Sequence, residues 1–252
     1  MSLRKFFKKV VKTVKKIVRS AKELANRTIG LLDLIGSLIG IRPHKYFRAK
    51  VVILADANGP VAPLATVDQW WTTAVRVFKD EANVELYSFD SPFKGSSPVM
   101  TTTTGDRTDV FVLPECSFSE MFSDISDWFE DKALEIKGGF QQVPLAGWTA
   151  DNVGIGEAVV AFVIRDIGGA LGCAYPAITF HALIAGAPPN PPLPRVTTLA
   201  HELAHMCGLK DMSGSRINLM SSDRGPTDSH LSRTQIAWLR NSRFVTYIKR
   251  TN

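Results

Sequence analysis

His201, Glu202 and His205 stand in the pattern H-E-x-x-H. Histidines four apart share one face of a helix, so their two imidazoles can ligate a single metal ion, and zinc is the ion such a site suits best. Glu202, one residue round the helix, faces the position left open to water and has the chemistry of a general base. Five histidines and nine glutamates in 252 residues make a chance occurrence rare, with well under about 0.01 matches expected.

Two histidines need a third protein ligand, and a helix continuing past His205 would carry later residues away from the ion. Gly208 can take the left-handed conformation that ends a helix, which lets the chain turn and brings Asp211 back as a carboxylate ligand. His44 and His181 have no such partner in the sequence and read as structural. Cys207 is on the same helix but off the face shared by the two histidines, and reads as core packing.

The extended pattern H-E-x-x-H-x-x-G-x-x-D, followed by Asn218, Leu219, Met220 and Ser221, resembles the metzincin clan of zinc endopeptidases. The resemblance covers residues 197–222 and extends loosely to a C-terminal helix over 231–239. It implies one catalytic Zn2+ held by His201, His205 and Asp211, Glu202 as general base, and Met220 in a turn beneath the metal. Protein or peptide substrates would lie extended along an edge strand, for which residues 173–179 are the candidate. Most of the clan has His where Asp211 stands, so the motif is nearest to the snapalysin-like branch. Ser222 occupies the place of the tyrosine ligand of astacin-like and serralysin-like members, which implies four-coordinate zinc. Other zinc architectures fit less well. No Glu follows position 202 to serve as a thermolysin-like ligand. Asp223 or Asp228 would be ligands of the aspzincin type, and Cys173 of the deformylase type, but neither neighbourhood reproduces the corresponding motif.

The elements that must position these residues alternate between strand and helix, an α/β (α+β) arrangement. Strands are expected at 50–56, 84–90, 109–113 and 158–164, and within 173–183. Helices are expected at 67–78 and 119–136. The proline-rich link 187–194 leads into the active-site helix. The resemblance adds a twisted mixed sheet, a methionine turn and a C-terminal helix.

The charge is unevenly spread. Residues 1–50 hold fourteen Lys or Arg against Glu23 and Asp33, a net +12, which leaves −6 for the remainder of a chain whose total is +6. The body is therefore mildly acidic, and no nucleic-acid partner is expected. Apolar residues from Leu3 to Ala25 step by three and one, with lysines and arginines on the other face. Such a basic amphipathic helix suits an anionic membrane surface or a partner protein. The chain is accordingly divided into residues 1–44, a leader, anchor or docking element, and 45–252, the peptidase-like domain. A cleaved leader would need a small-residue cleavage site after the apolar run 29–41, and none follows. That run is also too short to span a bilayer. The other function class open to the sequence is a delivered or membrane-active toxin whose N-terminal helix binds lipid. A secreted or membrane-surface location is favoured over the cytoplasm. Three cysteines allow one disulfide at most, with Cys116–Cys173 one of the pairings.

Overall fold

The computed structural model describes residues 31–89, 97–117, 123–137, 156–175, 179–186, 195–222, 225 and 228–249. The helix expected over 3–25, the link 187–194 and Asp223 lie outside them. The first described element, α1 (Leu31–Leu38), leads to β1 (Lys45–Asp56), the long central strand of the sheet.

Val51, Val52, Ile53 and Leu54 in β1 are fully buried, and such an unbroken apolar run belongs to a strand covered on both faces. The strand begins five residues before the expected Lys50, because its charged N-terminal half finds partners. Lys45 Nζ donates to the carbonyl of Arg240 (2.8 Å), and Arg48 donates to that of Gly156 (3.2 Å). The remaining strands are β2 (Gly59–Pro60), β3 (Val84–Tyr87), β4 (Val99–Thr103), β5 (Val112–Leu113), β6 (Val159–Ile164), β7 (Asp166–Ile167), β8 (Gly172–Ala174), β9 (His181–Ala185) and β10 (Val245–Thr246). The order β10-β1-β6-β9-β8 forms a twisted mixed sheet to which β2, β3 and β4 add through β1. β3, β4 and β6 run parallel to β1, and β9 runs parallel to β6. β8 is antiparallel to β9 at the end of this order. Residues 109–113 divide into a 3-10 turn (Asp109–Phe111) and the two-residue β5, which pairs with β7 outside the main sheet.

Helices cover both faces. On one lie α2 (Leu64–Ala82) and α4 (Thr198–Met206), which pack on each other; α2 buries Val67, Trp70, Ala74, Val77 and Phe78. The other face takes α3 (Asp124–Ile136), whose Phe129 ring sits 5.0 Å from Phe162 and 5.9 Å from His181. His181 is thus a core residue, and His44 sits at the surface 3.1 Å from Glu85. Strand periodicity assigns the faces: Val160, Phe162, His181, Leu183 and Cys173 point towards α3, whereas Ala161, Ile184 and Gly172 point towards α4.

The C-terminal helix α5 (Arg233–Arg240) is started by a capping box of Ser232 and Gln235 and packs on α1. Arg240 at its end is fully buried. Its guanidinium donates to Ser37 Oγ (3.0 Å) and to the carbonyls of Ala82 (2.7 Å) and Pro43 (2.7 Å), so one side chain joins α1, the end of α2 and the entry to β1. Among the described residues no helix is long and apolar enough to cross a membrane.

Replacing Arg240 with Ala strips the two buried acceptors, Ser37 and Ala82, of their donor at about 1–3 kcal/mol each, and removes the part-buried bond to Pro43, which water replaces more readily. The expected loss is about 3–5 kcal/mol in urea unfolding. A loss under about 1 kcal/mol would show that the three bonds do not anchor this end of the fold.

Candidate metal centre

α4 follows β9 and buries every residue from Thr198 to Ala204, His201 and Glu202 among them, while His205 in its last turn is half-buried. The helix ends in a Schellman motif. Gly208 has φ +86°, its N–H donates to the carbonyl of His205 (2.7 Å), and the Leu209 N–H donates to that of Ala204 (3.1 Å). The reversal turns the Leu209 carbonyl back to accept from His205 Nδ1 (2.8 Å), and it carries Asp211 to the same end of the helix. Asp211 Oδ1 lies 3.3 Å from His201 Nε2 and 3.4 Å from His205 Nε2. The two Nε2 atoms are 3.0 Å apart.

A carbonyl oxygen can only accept, and His201 Nδ1 also meets one, that of Leu219 at 2.8 Å. Both imidazoles therefore carry their proton on Nδ1 and turn an Nε2 lone pair towards the other and towards Asp211. Three acceptors aimed at one point need a positive charge between them. Where protons supply it, hydrogen bonds to the imidazoles of His201 and His205 hold the Asp211 carboxyl far below the usual carboxylate range. Burial pushes His205 down, but its bond to Asp211, the charge of Glu202 and the Leu209 carbonyl together outweigh this and raise it.

A divalent cation fits the same space. Two ligands about 2.0–2.1 Å from a tetrahedral ion lie about 3.3 Å apart, close to the 3.0–3.4 Å separations here. Two imidazole nitrogens and one carboxylate oxygen suit zinc, with a fourth position left over. Among the described residues this trio is the one group of His, Cys, Asp or Glu side chains placed to hold a metal. Its two histidines are nearly closed off, at 9% and 15% exposure, while the Asp211 side chain is 68% exposed, so the site opens to solvent on that side. Glu202 is buried beside it, with Oε1 3.9 Å from His201 Nε2.

The turn at Asn218, Leu219, Met220 and Ser221 braces both halves. The Leu219 carbonyl orients His201, and the carbonyl of the buried Met220 accepts from Met212 N–H (3.0 Å), next to Asp211. Asn218 Oδ1 accepts from Met220 N–H (2.9 Å), and the Asn218 amide exchanges two hydrogen bonds with the amide of Gln235. The Trp238 indole N–H reaches the Gly208 carbonyl (3.0 Å), so α5 grips both loops of the site.

The structure thus brings His201, His205 and Asp211 together with Glu202 beside them, and places Gly208 and Met220 in the two turns that flank the group. Of the alternative ligands, Cys173 is bonded to Cys116, and Asp228 Oδ2 accepts from Gly225 N–H (3.0 Å) within its own loop. Cys207 is a buried free thiol. The roles of Asn218, Gln235 and Trp238 were missed. The S-x-x-Q capping signal at Ser232 was the one available pointer, and it marks a helix start without naming what Gln235 would hold.

No model of a protein family matches the chain, and no curated protein does. Solved structures similar to it include mature mirolysin from Tannerella forsythia in complex with a cleaved peptide, at 11% identity and TM-score 0.48, covering 79% of this chain and 91% of that one. Metalloproteinase-II from Bacteroides fragilis is similar at 10% identity and TM-score 0.43, covering 83% of this chain and 61% of that one.

Gly208→Ala forces a Cβ into the left-handed region and is expected to cost about 1–2 kcal/mol in denaturant unfolding. An unchanged midpoint would contradict the helix ending described here.

Proposed function

We propose that the chain is a zinc-dependent endopeptidase of the metzincin type. The observation that carries the reading is the convergence of His201 Nε2, His205 Nε2 and Asp211 Oδ1 on one point, with each imidazole fixed by a main-chain carbonyl and Glu202 alongside. His201, His205 and Asp211 hold the metal. Zinc, when bound there, supplies Lewis acidity, polarising a scissile carbonyl and making water easier to deprotonate. Glu202 takes the proton from the attacking water on its carboxylate and passes it to the leaving amine. Asp211 as third ligand, with Met220 in the following turn, is what supports a place near the snapalysin-like branch.

The substrate is an extended peptide segment laid along β8, whose outer edge has no partner strand among the described residues. The Cys116–Cys173 disulfide supports an oxidising location such as the cell exterior. Residues 1–44 serve as an anchor or docking element that stays with the body through α1 and the Arg240 bonds to Ser37 and Pro43, with the basic stripe over 3–25 turned to an anionic surface or a partner.

Two substitutions separate base from ligand. Glu202→Gln in the full chain lowers peptide turnover about 10²–10⁴-fold while bound zinc, measured by metal analysis, stays at the wild-type level. Asp211→Ala weakens zinc binding instead, seen as a shift in a chelator competition titration. Turnover by Glu202→Gln at the wild-type rate would sink the proposed role of Glu202.

A further inference from the structure

Gly172 is in β8, at the end of the main strand order, and has an ordinary strand conformation, so backbone freedom does not explain a glycine there. Space does. A Cβ on Gly172 would stand 2.5 Å from Glu202 Cγ and closer still to Cδ and Oε1. Because Cγ is included, swinging the carboxylate about its last bond cannot clear the clash. The whole side chain from Cγ outward would have to leave its place.

β8 is not free to retreat. Its next residue, Cys173, points to the opposite face of the sheet and is bonded there to Cys116. Gly172 is paired with Ile184, and the Ala185 N–H donates to the Leu171 carbonyl (3.1 Å). On the other side, Glu202 is carried by α4, which is buried between α2 and the sheet. The Glu202 side chain therefore lies against main chain that is fixed from both directions.

We infer that Gly172 is a positioning residue: the missing side chain leaves the slot in which the Glu202 carboxylate is held beside His201, and the Cys116–Cys173 bond keeps that slot closed from the far face of the sheet. The inference rests on Glu202 acting as the proposed base, but the contact itself can be tested without that premise.

The test uses the full chain in two double-mutant cycles. With zinc content matched, Gly172→Ala lowers kcat about 100-fold, the scale of an ångström-sized misplacement, and leaves KM unchanged. In the Glu202→Ala background, which has neither Cγ nor carboxylate, the same substitution changes the residual kcat less than about 10-fold. In metal-free protein, Gly172→Ala lowers the urea midpoint in the wild-type background and leaves it unmoved in the Glu202→Ala background, where the clashing atoms are gone. Equal losses in paired backgrounds, or a wild-type kcat in Gly172→Ala, overturn the positioning role. A wild type no more active than Glu202→Gln overturns the peptidase reading instead, and the urea cycle then decides the contact alone.

Discussion

Two main-chain carbonyls, those of Leu209 and Leu219, decide what the histidine pair can do. Each takes the Nδ1 proton of an imidazole and thereby points the other nitrogen into the site. Without them, His201 and His205 would be two rings on a helix, free to donate or accept from either edge. With them, the only stable occupant between Nε2, Nε2 and Asp211 is something positively charged. The rest of this half of the molecule places those carbonyls: Gly208 turns the chain to present one, and the Asn218 turn presents the other. Trp238 and Gln235 hold the two turns from a single helix.

The sheet acts from the other side. β9 delivers the chain to α4, and β8 supplies a floor against which Glu202 rests. Alternation along β8 sends adjacent residues to opposite faces, so neighbours in sequence do unrelated jobs. Cys173 ties the strand to the loop after β5, while Gly172 makes room for a carboxylate. Main-chain acceptors also receive buried charged side chains elsewhere, as with Lys45 and the Arg240 carbonyl.

What the sequence disclosed was whatever depends on residue type at fixed spacing. His201 and His205 on one helix face, Glu202 beside them, the helix-ending Gly208 and the returning Asp211 could be read directly, as could the apolar core of β1. What stayed hidden depends on main-chain atoms, which carry no signature of type. The carbonyls of Leu209 and Leu219 could belong to any residue, and Gly172 looks like one more glycine in the sheet. Charged residues also misled: Lys45 and Arg48 placed the start of β1 too late, because their buried acceptors come from residues distant in sequence. The two-residue β5 failed to show as separate from the 3-10 turn before it, since periodicity over five residues cannot tell them apart.

The Arg240 guanidinium gathers Ser37, Pro43 and Ala82 around the end of α5, and the same helix carries Gln235 and Trp238 to the metal-site loops. During synthesis on a ribosome, the His201, His205 and Asp211 segment is therefore made before the helix that holds its loops in place. Until α5 emerges and docks, the imidazoles lack their fixed orientation and β1 lacks the clamp at its entry. Completion of the site and closure of the entry to β1 thus become one event, and a chain without α5 has neither.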